Sequence, residues 1–157
     1  MNNSNLNIYN NLIKLTRNKI LYLKLYKQDT FSDRLIILFF HFGFFLKYYK
    51  KEVSKKESQD LFDFFIKQIE LSIREIGYGD VSINKKMKEY VNLFYSIIEK
   101  IEIWENSDDN YRASIIGNFI DISKDSQFYA DYFEKYRIYL TKNTLNHFTK
   151  DILNLKF

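Results

Sequence analysis

Residues 61–101 read LFDFFIKQIELSIREIGYGDVSINKKMKEYVNLFYSIIEKI. Apolar residues recur every three or four positions on both sides of a short glycine-containing segment, the spacing that places side chains on one helical face. They are Leu61, Phe62, Phe65, Ile69, Ile73 and Ile76 on the first side, and Ile83, Met87, Tyr90, Val91, Phe94, Ile98 and Ile101 on the second. The stretch therefore predicts a hairpin of two amphipathic helices.

The tip of this hairpin is expected to be polar and charged. Gly77 follows the last apolar position of the first arm, where a helix can end on a left-handed residue without steric cost. Ser82 precedes the second run and is expected to accept free amide hydrogens as an N-cap. The second arm is then predicted from Ile83 to about Trp104.

Similar periodicity predicts further helices around the hairpin. The expected helices are about Asn7–Lys19, Asp33–Lys50 with Ser32 or Asp33 as its cap, a helix from the Ser54–Glu57 capping box to Gly77, and then Tyr111–Ile122, Gln127–Leu140 and Thr144–Leu155. The run Leu35–Leu46 is apolar on nearly every side, which is typical of a helix in the middle of a bundle. At 12 residues it is shorter than the about 20 that cross a bilayer.

Composition favours a single globular domain. The 157 residues are 46% hydrophobic and 28% charged, and the chain has neither proline nor cysteine, which excludes disulfides and thiolate metal sites. The net charge of +4 suits anionic lipid or RNA without demanding either. Residues 1–7 lack the features of a secretory signal. We expect one all-α domain over residues 1–157, a bundle of six to seven helices that is soluble or peripheral to a membrane.

Few residues point to chemistry. No His, Asp and Glu cluster has metal-ligand spacing, and Gly77-Tyr78-Gly79 is not a dinucleotide fingerprint. His41 lies inside the apolar run, where a hydrogen-bonded core histidine is more common than a catalytic base or ligand. We therefore expect no catalytic residue, no metal and no cofactor.

The charged residues around the turn have a structural and a functional interpretation. Arg74 and Glu75 are expected to pair, and Asp80 to accept amide hydrogens at the start of the second arm; both are turn construction. The basic cluster Lys85, Lys86 and Lys88 is predicted to open that arm, where the helix dipole disfavours positive charge. This mismatch favours a partner, although a solvated face is the commoner explanation.

Apolar residues off the main stripes favour an exposed groove. Phe64, Leu71, Leu93 and Ile97 lie outside the core series, and one core cannot easily bury them all. The aromatic pair Phe94 and Tyr95 is expected to serve the core first and a binding surface second.

The turn region resembles the signature of a known family. Residues 73–88, IREIGYGDVSINKKMK, followed by Phe94-Tyr95, resemble the ubiquinol–cytochrome c chaperone family, in which an Arg-Glu-x-Gly-x-Gly-Asp turn leads into a basic helix with Met-Lys and then Phe-Tyr-Gly-Arg. Upstream, Asp29-Thr30-Phe31, Asp33-Arg34 and His41 resemble the family's segment at the start of its second helix. The resemblance covers about residues 8–98, whereas the C-terminal helices, about 109–157, carry no matching motif.

Two positions depart from the family pattern. Asn84 stands where the family often has proline, a change that a first helical turn tolerates. Ser96 and Ile97 replace the usual Gly-Arg. A partner contact made by that arginine in relatives is therefore lost or moved in this chain.

The resemblance implies a non-enzymatic assembly factor for the cytochrome bc1 complex that holds newly made cytochrome b. Implied partners are cytochrome b or another bc1 subunit, a small partner protein, the ribosome exit region and an anionic membrane surface, but not DNA. The implied location is cytoplasmic and peripheral at the inner membrane, or the mitochondrial matrix for a processed organellar form. The partner- and client-binding residues carried over from the motifs are Asp33, Arg34, His41, Arg74, Glu75, Gly77, Gly79, Asp80, Lys85, Lys86, Lys88, Phe94 and Tyr95.

A holding mechanism follows from these residues as a hypothesis. An apolar groove beside Phe94 and Tyr95, with the Arg74–Asp80 turn and the Lys85–Lys88 cluster at its rim, would cover a segment of cytochrome b. The competing hypothesis is a ribosome- or RNA-binding module that uses the same lysines. A third, an enzyme using His41 or Asp80, requires an open pocket around those groups.

Overall fold

The computed structural model describes residues 3–23, 30–120 and 126–143. These described residues form six α-helices and one 3-10 turn, without a strand. The elements are α1 (Asn3–Thr16), the 3-10 turn (Lys19–Leu21), α2 (Phe31–Tyr49), α3 (Lys55–Ile76), α4 (Asp80–Glu102), α5 (Asp109–Phe119) and α6 (Ser126–Lys142). The prediction of an all-α, single-domain bundle is confirmed. The helix predicted over Thr144–Leu155 and Asp29 of the upstream motif lie outside the described residues.

α2 is the central helix because apolar residues cover most of its circumference. All residues from Leu35 to Leu46 are buried. α1, α4 and α6 pack around α2, and α3 packs against α1 and α4. The prediction of a buried core helix at this run is confirmed. Within the described ranges, no helix combines the length and the apolar character needed to cross a membrane.

The hairpin of α3 and α4 is fixed to α2 by a close helix crossing and by aromatic packing. A Cβ atom on Gly43 would lie 2.5 Å from Ile101 Cδ1, so glycine lets α2 approach α4 here without displacing the end of that side chain. Beside the crossing, the Phe94 ring centroid lies 5.1 Å from that of Phe39 and 5.3 Å from that of Phe42. The inner face of the hairpin is therefore part of the main core.

The starts of α2 and α3 are both closed by capping boxes. At α3, Ser54 Oγ accepts from the Glu57 amide at 3.1 Å, and the Glu57 carboxylate accepts from the Ser54 amide at 2.9 Å, as predicted. At α2 the cap is Thr30, and Asp33 closes the box as the third helical residue. The prediction of Ser32 or Asp33 as the cap is therefore wrong, because the hydroxyl that reaches the orphan amide lies one turn earlier.

α4 begins before the predicted residue. Gly79 is its N-cap in an extended conformation, without a side-chain hydrogen bond, and Ser82 lies inside the first turn. The prediction of Ser82 as the N-cap is wrong because the chain is already helical at Asp80. Smaller shifts occur elsewhere: α1 begins and ends earlier than predicted, and α5 begins at Asp109 with Asp108 as its cap.

A polar network attaches α5 and α6 to the end of α4. Trp104 Nε1–H donates to the Glu134 carboxylate at 2.7 Å, and Arg112 Nη1 lies 3.2 Å from the same carboxylate. Arg137 also pairs with Glu134 and reaches Glu105 Oε1 at 3.2 Å. Burial raises the pKa of Glu134, but the bonds from Arg137 and Trp104 outweigh it and hold that pKa below its usual value. This ionised carboxylate links three helices.

Candidate functional site

The motif turn between α3 and α4 is held by one arginine. α3 ends on Gly77 in the left-handed conformation, with φ 105°, as predicted. Arg74 Nη1 donates to Asp80 Oδ1 at 2.8 Å, and its Nη2 donates to Glu70 Oε1 at 3.0 Å. These bonds, with that to Asp80 the stronger, raise the pKa of Arg74. The guanidinium therefore clamps the end of α3 to the start of α4.

Two predictions about this turn are wrong. Glu75 is exposed, and the partners of the Arg74 guanidinium are Asp80 and Glu70 instead of Glu75. Asp80 is the first residue of α4 and accepts from Arg74, whereas no side chain caps the helix. Position explains the first result, because a neighbour at i+1 points away from Arg74 whereas Glu70 at i−4 shares its face.

The tip also exposes apolar side chains, which the expected polar tip did not include. Val81 is 86% exposed, Ile76 52% and Tyr78 42%. They flank the two glycines of the turn on both sides. Three exposed apolar side chains therefore lie close together in sequence at the tip, and we call them the apolar knob.

The basic cluster lies deeper in α4 than predicted. With the helix beginning at Asp80, Lys85 and Lys88 lie in its second and third turns, so the expected conflict with the helix dipole does not arise. Both side chains are exposed, whereas Lys86 Nζ lies 3.8 Å from Glu89. Lys85 and Lys88 share one face of α4 with Val81, since the three are spaced by four and three residues.

The aromatic pair of the motif is divided between core and surface. Phe94 is fully buried. Tyr95 is 50% exposed, and its ring stacks on Phe62 of α3 with centroids 6.1 Å apart and planes 20° apart. Tyr95 is therefore the member of the pair that a partner can touch, and Phe94 serves the core.

A groove lies beside Tyr95, at the opposite end of the hairpin from the turn. Its volume is about 480 Å³. It is lined by Leu46, Lys50, Lys55, Ser58, Gln59, Phe62, Tyr95 and Ile98. The floor is apolar and aromatic, and Lys50 and Lys55 stand at its edge. The prediction of a groove around Tyr95 is consistent with this depression, but its rim lysines are not the predicted ones.

A second depression of about 370 Å³ continues along the same helices toward the tip. It is lined by Ile66, Glu70, Asn84, Met87, Lys88, Val91 and Asn92. The lining of both depressions advances along α3 through Phe62, Ile66 and Glu70, and along α4 from Ile98 to Asn84, in steps of one helical turn. They therefore lie in line on the outer seam between α3 and α4, and together we call them the seam groove.

The off-stripe residues that suggested a groove do not line it. Ile97 is fully buried, and Leu71 is 41% exposed. Phe64 is half-buried against Tyr9 of α1, with ring centroids 6.2 Å apart. Leu93 is half-buried and packs on the core. The four residues from which a groove was predicted therefore do not form it, and the seam groove has a different lining.

The upstream motif residues have structural positions on α2. Asp33 belongs to the capping box, and Arg34 is exposed in the first turn. His41 is fully buried, with Nδ1 3.0 Å from the Ile37 carbonyl and Nε2 2.7 Å from the Tyr132 hydroxyl. Burial, opposed by the bond to Ile37, lowers the pKa of His41 to about 3. The prediction of a hydrogen-bonded core histidine is confirmed.

The groove side chains missed by the sequence reasoning include Leu46, Lys50, Lys55 and Ile66. A signal for Ile66 exists in the second stripe of α3, Phe62–Ile66–Glu70, which runs beside the core stripe. The ring contact between Phe62 and Tyr95 joins that stripe to α4. Among the described residues, no three His, Cys, Asp or Glu side chains are grouped so that they could hold a metal ion.

Comparison with known proteins adds one finding. A family model described as "Ubiquinol-cytochrome C chaperone" matches residues 24–120, which is more than half of the chain. No curated protein and no solved structure matches this chain. The matched segment contains α2 to α5, and with them every residue that lines the seam groove.

Proposed function

Because the chain belongs to the ubiquinol-cytochrome C chaperone family, we propose that it is a non-enzymatic assembly factor for the cytochrome bc1 complex that holds newly made cytochrome b. Membership indicates a chaperone or assembly role, and the family's description supports a component of that complex as the proposed client. The observation that carries the proposal is that the family match spans both helices of the seam groove in full.

The seam groove suits a holding role. Its floor carries Phe62, Ile66, Val91, Tyr95 and Ile98, which are half-buried or exposed although they are apolar or aromatic. Exposed apolar surface of this kind marks a place where another apolar segment docks. Laying a helix into a groove between two helices is a common recognition mode. Covering the apolar face of a client segment there requires no reaction, which agrees with a non-enzymatic role.

The motif residues divide into positioning and contact groups in this proposal. Arg74, Gly77, Gly79 and Asp80 build the turn. Lys85, Lys88 and Tyr95 are exposed and are the contacts we assign to a client or membrane. Phe94 and His41 act through the core, and Asp33 closes the α2 capping box. Glu75, Lys86 and Arg34 stay exposed or half-exposed at the surface.

The tip of the hairpin supports a location at the membrane surface. Val81, Tyr78 and Ile76 form the apolar knob, and Lys85 and Lys88 lie beside it. A lysine near an anionic leaflet contributes about 1 kcal/mol. We therefore place the protein peripherally at the inner membrane, on the cytoplasmic side, or on the matrix side for an organellar form. Charge reversal at Lys85, Lys86 and Lys88 should reduce pelleting with anionic vesicles while helicity is unchanged.

The proposal is tested in cells by deletion and complementation. Loss of the gene should lower cytochrome b and bc1 content, measured by difference absorption spectra. The wild-type gene should restore the signal, whereas Tyr95→Glu should not, because a charge enters the groove floor. Tyr111→Glu is the matched control, since Tyr111 is similarly exposed at 42% but lies on α5. Normal cytochrome b in the deletion strain would refute the proposal.

The ribosome- or RNA-binding alternative uses the exposed Lys85 and Lys88. Phosphate contacts would make binding fall steeply with added salt, independently of cytochrome b. Acidic neighbours argue against it, because Asp80 and Glu89 lie in the same helix. RNA binding that survives Tyr95→Glu and disappears between 50 and 200 mM salt (about the range over which phosphate contacts are lost) would favour the alternative.

A further inference from the structure

The seam groove has unbalanced charge at its ends. Four charged residues line it: Lys50, Lys55, Lys88 and Glu70. The Glu70 carboxylate is already paired with Arg74 at 3.0 Å. Within the described part of the chain, the three lysines form no ion pair. Positive charge is therefore left for an occupant to neutralise.

The apolar floor has lysines at both of its ends. Lys50 and Lys55 line the depression beside Tyr95, and Lys88 lines the depression nearer the tip, across from Glu70. Along α3, the distance from Lys55 to Glu70 is about 22 Å, at 1.5 Å per residue. An occupant helix of the same length has about 15 residues, or four turns.

The floor between the lysines is the seam between two helix faces. It is formed by side chains from one face of α3 and one face of α4, so it covers one side of a helix laid along the seam and leaves the rest in solvent. A membrane-spanning segment needs about 20 apolar residues and is apolar on every side. Such a segment would bury little of its surface here. A helix with a single apolar stripe and a polar remainder fits the width.

We infer that the seam groove binds an amphipathic helix of about four turns from a partner protein, with acidic residues near both ends of its apolar stripe. The inference rests on the proposed function only in treating the groove as a binding surface, and it narrows the bound class to an amphipathic segment. Complementary charge at the rim sets the register and direction of such a helix.

The first test selects the occupant without assuming its sequence. A displayed library of 16-residue helical peptides, with a fixed apolar stripe and all other positions random, is selected against the purified full chain. Asp and Glu should be enriched in the first and last turns of the selected peptides. Absence of any selected binder, or ends that are neutral or basic, overturns the inference.

The second test exchanges charges. Exposed ion pairs are weak individually, so Lys55→Glu combined with Lys88→Glu should weaken a selected acidic peptide by about threefold to thirtyfold. A version of that peptide with lysine at its ends should instead gain affinity for the variant. The matched control is Lys135→Glu with Lys142→Glu, two exposed lysines of α6 that change the net charge equally. If the control variant loses the same peptide affinity, the effect comes from net charge and not from the groove, and the inference is overturned.

Other occupants give different results. If the purified chain self-associates, and the double variant with Lys55→Glu and Lys88→Glu does not, the occupant is a second copy and the inference fails. If dodecanoate alone displaces the peptide at equal concentration, the groove is a site for anionic amphiphiles and the inference also fails. Because these tests use purified protein, they are separate from the cytochrome b spectra: normal spectra in the deletion strain would refute the proposed function without affecting the peptide result.

Discussion

Replacing His41 should remove most of the dependence of stability on pH between pH 7 and pH 5. The imidazole is fully buried between Ile37 and Tyr132, and its native pKa is about 3. In the unfolded chain the pKa is about 6.5. Between these values the unfolded chain binds one more proton than the native protein, so stability falls as pH falls below 6.5.

The size of the effect follows from the two pKa values. Linkage gives a loss of about 2 kcal/mol in the free energy of unfolding between pH 7 and pH 5 from this group alone. In a chain of this size that loss lowers Tm by about 4–8 °C. The glutamates with lowered pKa, Glu134, Glu105 and Glu70, lose stabilisation as pH falls through their acidic range. They therefore contribute mainly below this window.

Urea unfolding at pH 7, 6 and 5 measures this difference. Trp104 is the only tryptophan and is buried, so its fluorescence reports global unfolding. His41→Gln should be less stable than wild type at pH 7 but should change little toward pH 5. His147 remains in both proteins, so the difference between the two curves isolates His41. Tyr132→Phe serves as a second variant that keeps the buried imidazole and should keep the pH dependence. Parallel curves for wild type and His41→Gln would refute the reasoning.

Four further substitutions test the turn, a cap and the polar network by urea unfolding. Gly77→Ala should cost about 1 kcal/mol because of its φ of 105°, whereas Gly117→Ala, in open space on α5, should stabilise by up to about 1 kcal/mol; equal effects would refute the left-handed assignment. Ser54→Ala should cost about 1 kcal/mol by removing the α3 cap, and no change would mean that Ser54 does not cap in solution. Glu134→Gln should cost about 2 kcal/mol, because two arginines lose their carboxylate; unchanged stability would contradict the two ion pairs.

The hairpin could be predicted from the sequence because burial repeats with the helical period. Leu61, Phe65, Ile69 and Ile73 are all buried, as the spacing requires. Helix starts were less predictable. Several hydroxyl and carboxylate residues near each start are chemically able to cap, and only the backbone path decides which of them reaches an amide. Thus Thr30 caps α2 in place of the expected Ser32 or Asp33.

A groove on the hairpin was predicted from the sequence, but most of the residues that line it were not. Periodicity along one helix identifies its core face, but the rotation of α3 against α4 decides which neighbouring stripe is left open. That rotation places Phe62 and Ile66 in the seam. It also buries Ile97, which was expected at the surface. Lys50 and Lys55 come to the groove through the turn between α2 and α3, a contact that no local pattern indicates.

The central position of α2 has a consequence for synthesis of the chain. The hydroxyl that contacts His41 Nε2 belongs to Tyr132, 91 residues later. At about 5–20 residues per second, translation needs roughly 5 to 20 s to reach it. Throughout that interval the most apolar helix of the nascent chain lacks the cover of α6. A protein proposed to hold a newly made client thus exposes its own most apolar helix for some time during its synthesis.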